Sequence, residues 1–238
     1  MIISIESSSS NLSVALLTKE RLIDKLLVPV KNELSEIIIP TIKNFLIKNS
    51  ITFENISLIT IGCGPGSFTG VRVVIAAAKG IKISNKSIKS IGINSLAGLA
   101  MSVIEEAKEK NCKYIIASID TKRDDIFVQL FEVNNLDENK IPFSVMNDIQ
   151  TIEIQNLDNY ILTHQLVAKD ILFVGHQSDF LKNRKKNIKI SNHAKQIPDA
   201  IWVGVLTSYI INKNIDVKDT RIASNHLKPI YVRHPETN

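Results

Sequence analysis

One run constrains this chain more than any other: Gly62-Cys63-Gly64-Pro65-Gly66-Ser67-Phe68-Thr69-Gly70-Val71-Arg72. An apolar stretch, 56–61, leads into it and reads as a buried strand. A small-residue stretch, 73–80, leaves it and reads as a tightly packed helix. Glycine permits positive φ and lets other groups come close to the backbone. A strand, a glycine turn and a helix start leave N–H groups free at one point, where an anion can be held. The spacing excludes two common phosphate loops. No Lys follows Gly70 as a Walker A loop requires, and Gly64, Gly66 and Gly70 give G-x-G-x-x-x-G, one residue longer than the dinucleotide fingerprint. Geometry alone leaves two readings open: a tight turn that packs a helix on a strand, or a ligand loop.

The 238 residues suffice for one large domain or two small ones, and 44% are hydrophobic, enough for a packed core. Only 5% are aromatic, so that core rests on Ile, Leu and Val. Cys63 and Cys112 form no C-x-x-C pair, which suits a reducing cytoplasm and argues against a disulfide framework or structural zinc. No apolar run reaches the ~20 residues that span a bilayer. Residues 1–17 lack a basic start, and 6–11 interrupt their apolar part, so no signal peptide is expected. The expectation is a cytoplasmic protein with no membrane partner. The net charge of +5 permits an anionic partner without demanding one. Lys182, Arg184, Lys185, Lys186 and Lys189 form the densest basic cluster, with no aromatic interleaved for base stacking. It reads as a solvated loop, with a phosphate-backbone contact as the alternative.

Taken in order, strands are predicted at 1–5, 12–17 and 21–30, then a helix at 35–49 with Ser35 as its cap. Pro40 fits that helix only in a first turn or as a kink. A strand at 56–61, a helix at 69–83, a strand at 88–91 and a helix from Asn94 or Ser95 to about 108 follow. Three sequential strands followed by alternation is the layout of the ribonuclease H-like half of actin-like folds. The fold class is therefore α/β, with two lobes, 1–110 and 111–238, each a mixed sheet flanked by helices. The second lobe begins with a hairpin, 114–119 and 126–133, around a charged turn, 120–125. Residues 149–161 read as extended or loop, 171–174 as a strand, and 198–211 as a helix with Pro198 in its first turn. That helix and the tail are expected to pack back on the first lobe.

The chemistry on offer is sparse. Of His164, His176, His193, His226 and His234, none stands four residues from another, so no metal site is expected, and His176 is the best single site candidate. Ser67 has no marked His and acid partners, so neither a hydrolase triad nor a protease is expected. Glu6 ends the first strand beside Ser7 and Ser8, where an actin-like fold places an acid next to a phosphate hairpin; it could hold hydrated Mg²⁺. The other reading is a solvent-exposed hairpin bend.

The run from Gly64 to Arg72, continuing to Ala78-Lys79-Gly80, resembles the signature of the TsaB (YeaZ-like) family. Residues 2–16 resemble its opening, with Glu6 where Asp is usual. Residues 34–40 resemble its H-S-E-x-L-L-P helix, with Leu34 for His. Residues 94–100, 120–127 and 229–233 match further segments, and 136–196 match poorly. The resemblance implies an accessory subunit of the machinery that makes threonylcarbamoyladenosine at adenosine 37 of ANN-decoding tRNAs. Such a subunit is non-catalytic and activates a TsaD-type catalytic subunit together with a TsaE-type ATPase. It pairs as a homodimer when alone, meets tRNA only indirectly, and has no intrinsic cofactor, with ATP or ADP at the subunit interface. Pairing uses the helices at 35–48 and 69–83, here through Ser35, Ile38, Ile42, Val73, Ala76, Ala77 and Gly80. Gly64, Pro65, Gly66, Ser67, Phe68, Thr69, Gly70 and Arg72 would then position the second helix or bind an anion. The alternative is a nucleotide-dependent transferase or phosphohydrolase of the actin-like class using Glu6, Ser7, Ser8 and the glycine loop.

Overall fold

The structure, a computed structural model, describes residues 1–30, 34–134, 140–184, 187–192, 197–215 and 221–232. Strands β1 (Ile2–Glu6), β2 (Asn11–Leu17) and β3 (Leu22–Pro29) precede helix α1 (Leu34–Lys48). Then come β4 (Leu58–Gly62), α2 (Phe68–Ser84), β5 (Lys89–Ile93), α3 (Ser95–Met101) and α4 (Ile104–Glu109). The hairpin β6 (Tyr114–Asp120) and β7 (Asp125–Val133) is followed by β8 (Phe143–Val145), β9 (Gln150–Glu153) and α5 (Leu157–Thr163). β10 (Ile171–Gly175), α6 (Ser178–Arg184), β11 (Lys189–Ile190), α7 (Ala200–Asn212) and β12 (Ala223–Ser224) complete the described chain.

Two mixed sheets result. The first has the order β12-β5-β4-β1-β2-β3, with β1, β4 and β5 parallel and the remaining pairs antiparallel. The second has the order β11-β10-β6-β7-β8, with β9 also paired to β7. The period of two along a strand decides which layer each residue enters. Ile3, Ile5, Leu12, Val14, Ile59 and Ile61 face α1 and α2. Their neighbours Ile2, Ala15 and Leu17 face inward, where α3 and α7 separate the two sheets. There Leu99, Val203 and Leu206 share one core with Ile115, Phe131 and Leu172 of the second sheet. On the far side, Ile116, Val128 and Phe173 pack on Leu157, Tyr160 and Leu181 of α5 and α6. Central strands are thus covered on both faces, which is why they read as continuous apolar runs.

The structure corrects several expectations. The helix expected from 94 to 108 breaks after Met101, where Ser102 Oγ donates to the Leu99 carbonyl and competes with the backbone ladder. Pro198 stands before the α7 cap, which is Asp199; its carboxylate accepts the Ile201 N–H and the Ser13 hydroxyl. Residues 149–161, expected as extended or loop, hold the strand β9 but then a 3-10 turn and most of α5, and α6 occupies part of the expected basic loop. Ser35 lies inside α1 and is not its cap. Pro40 sits in the second turn of α1 rather than the first, on the exposed side of the helix.

Candidate functional site: a glycine loop behind a helix face

The first strand ends in a knot of polar groups. Glu6 is only 1% exposed, and Ser7 and Ser8 are buried with it. Alternation along β1 turns Glu6 inward, toward the start of α3. Its Oε2 accepts the Ser95 hydroxyl at 2.7 Å, and its Oε1 accepts the Ser8 N–H at 2.6 Å. Ser95 Oγ in turn accepts the Gly64 N–H, and the Ser95 N–H donates to the Gly64 carbonyl. One serine therefore ties the glycine loop to the buried acid. The solvent-exposed bend is corrected at Glu6, Ser7 and Ser8, which burial has enclosed, while Ser10 is exposed.

The loop's glycines are explained by what lies against them. A Cβ on Gly62 would stand 1.8 Å from Glu6 Oε2. One on Gly66, whose φ is +146°, would stand 2.3 Å from the Ser8 carbonyl oxygen. One on Gly70 would stand 2.0 Å from the Ser7 carbonyl oxygen. The loop is pressed onto the β1–β2 turn, and three further N–H groups of the run have partners. Cys63 N–H bonds Ile93 O, Ser67 N–H bonds Ser8 O, and Gly70 N–H bonds the Ser67 hydroxyl that caps α2.

On the outer side, Gly66 to Thr69 line a cleft of about 340 Å³ together with Thr121, Lys122 and Arg123 and the tail residues 229–232. Lys122 Nζ lies 3.5 Å from Ser10 Oγ and 2.9 Å from Asp120, linking the turns of the two lobes. The tail is strapped to the loop. Ile230 N–H donates to the Cys63 carbonyl, and Arg72 Nε donates to Tyr231 Oη at 2.8 Å. The Arg72 guanidinium also lies 3.6 Å from the Phe68 ring centre, a cation–π contact.

Electrostatics follow burial. Burial pushes the Glu6 carboxyl above its usual range, against the bonds from Ser95 and Ser8. It pushes the Cys63 thiol up to about 12, with help from the Glu6 charge. At Asp120 burial also pushes upward, but Lys122 and then His176 outweigh it and hold the carboxyl below its usual range. A raised Glu6 value means the fold prefers the protonated acid. Stability from this group is therefore full below the ordinary 4.5 and is lost as pH rises through the folded-state value. Melting curves from about pH 4 to about pH 8 are expected to show the wild type losing ground to Glu6→Gln as pH rises. The loss approaches ~1.4 kcal/mol for each pH unit between the unfolded and folded values. Parallel curves would contradict the buried, proton-preferring acid.

The two outer helices form one face, and the structure sorts the residues assigned to pairing. Ser35, Ala76 and Gly80 are exposed and Val73 is half-buried. Ile38, Ile42 and Ala77 point into the chain's own core and are removed from the face. Ile39, Ile47 and Ile83 take their place as exposed apolar residues, with Ile83 78% exposed. The signal for Ile39 was its place in Ile37-Ile38-Ile39, since three consecutive apolar residues cover more than one side of a helix. A Cβ on Gly80 would meet nothing within 4 Å, so nothing in the described chain itself requires glycine there. Elsewhere, His176 Nε2 lies 3.8 Å from Asp120, while His193 and His234 fall outside the described residues. Among the described residues no three His, Cys, Asp or Glu side chains gather as a metal site. Lys182 is paired with Asp179, and Lys189 donates to the Lys110 carbonyl. Lys185 and Lys186 fall outside the described residues, as does Arg233 of the tail match.

Two mixed sheets, flanked by helices and separated by a shared helical layer, define an actin-like fold. YeaZ from Pseudomonas aeruginosa has this arrangement: its chain matches with a TM-score of 0.71 at 16% identity, over 97% of this chain and 99% of that one. The family model for TsaD, tRNA N6-adenosine threonylcarbamoyltransferase, matches residues 29–223, and the chain belongs to that family. Among curated relatives, the tRNA threonylcarbamoyladenosine biosynthesis protein TsaB of Buchnera aphidicola subsp. Acyrthosiphon pisum is 26% identical over 222 residues, 81% of this chain and 95% of that protein. TsaB of Bacillus subtilis is 26% identical over 190 residues, 79% of this chain and 76% of that protein.

Proposed function

We propose that the chain is the non-catalytic partner subunit in tRNA threonylcarbamoyladenosine synthesis, working in the cytoplasm. It presents the α1–α2 face to a TsaD-type catalytic subunit and holds that subunit in its active arrangement, with a TsaE-type ATPase as third component. A second copy of the chain competes for the same face when the catalytic subunit is absent. On this reading tRNA is met only through the complex, and ATP or ADP belongs to the interface between subunits.

One observation carries the reading. The exposed apolar residues of α1 and α2 form a face whose glycine has no role within the described chain, while the acid of the first strand is enclosed. A glycine inside a helix costs about 1 kcal/mol relative to alanine. A requirement for close approach by another helix offsets that cost. The TsaB relatives support the pathway. The test is reconstituted tRNA modification with the threonylcarbamoyl-adenylate synthase, the catalytic subunit and the ATPase held fixed. Modified adenosine is expected only when this chain is added, and the chain alone is expected to turn over no ATP. Equal product without it would remove the proposal, and ATP turnover abolished by Glu6→Gln would favour the enzyme reading.

A further inference from the structure

The partner-facing helices carry an unbalanced charge. Helix α2 contains Arg72, Lys79 and Lys82 and no acidic residue. On α1, exposed Lys43 and Lys48 stand against one exposed acid, Glu36. Three of these cations are already engaged: Lys48 with Asp24 at 2.9 Å, Lys82 with Ser90 Oγ at 3.1 Å, and Arg72 with Tyr231 and Phe68. Lys43 and Lys79 have no carboxylate partner among the described residues. They border the same apolar face that holds Ile47, Ala76 and Gly80.

We propose that this charge selects the partner: the face takes a helical surface with acidic residues in preference to a second copy of this chain. The inference rests on the reading above that the face is an interface. Two-fold pairing of identical chains places one patch against itself, so two surfaces of net positive charge face each other. An acidic partner buries the same apolar residues and adds attraction. Apolar contact is nearly equal in the two complexes, so charge decides between them. The homodimer is then a weak assembly that gives way when the acidic partner appears.

The test uses the full-length chain and the double variant Lys43→Glu/Lys79→Glu, both positions being exposed. Sedimentation velocity is run on wild type alone, variant alone and an equimolar mixture. The mixture is expected to form a one-to-one heterodimer about tenfold tighter than the wild-type homodimer, with the gap closing in about 0.5 M salt. A wild-type homodimer as tight as the mixture, unchanged by salt, overturns the proposal. Binding to the TsaD-type subunit separates the two readings. Wild-type binding lost about tenfold in the double variant supports charge selection. Binding unaffected by charge reversal sinks this inference alone, and no wild-type binding at all sinks the functional reading.

Discussion

Gly70→Ala is expected to lower the unfolding free energy by about 3 kcal/mol in urea titrations, one of the larger losses a single methyl group can cause. The new carbon would stand 2.0 Å from the Ser7 carbonyl oxygen, which is backbone and cannot swing aside as a long side chain could. Either α2 must lift from the β1–β2 turn or the turn must move, and both carry the buried Glu6 knot with them. The same substitution ten residues on provides the control. Gly80→Ala meets nothing within 4 Å and is expected to raise stability by up to ~1 kcal/mol through helix propensity. A Gly70→Ala protein as stable as wild type would mean that loop and turn are not packed as described.

Ala76→Arg is expected to do the opposite: to leave the melting temperature within about 2 °C of wild type and to weaken binding to the TsaD-type subunit roughly 100-fold. Ala76 is exposed on the outer side of α2, so the fold has room for a larger side chain. The close helix approach that Gly80 allows does not. Isothermal titration with the purified catalytic subunit, paired with a melting curve, separates the two effects. Unchanged affinity would place the interface elsewhere.

The actin-like layout was readable because its signals are local. β1, β4 and β10 are buried on both faces and spell themselves as largely apolar runs, and the glycine loop announces a strand–turn–helix junction. What escaped depended on contacts between distant segments. Ser95 could be named as a cap, but its bridge reaches back 89 residues to Glu6 and 31 to Gly64. The enclosure of Glu6 needed both Gly62 and the start of α3, and no periodicity in β1 reports either. On the helix face, apolar spacing found the helices but not which side met solvent. Ile38, Ile42 and Ala77 fit any apolar stripe until the sheet beneath claimed them.

The layer between the sheets has a mechanical meaning. Val203 and Leu206 of α7 and Leu99 of α3 touch one apolar core that runs from Ile2 and Leu17 on one side to Phe131 and Leu172 on the other. Thr60 and Thr207 add a buried hydroxyl pair at 2.7 Å across the first of these contacts. Opening the lobes like a clamshell would tear a close-packed interior rather than flex a linker, and such interiors deform little and transmit strain. The molecule is a bracket rather than a clamp: among the described residues one apolar core joins the two sheets, so a displacement of one sheet carries the other with it.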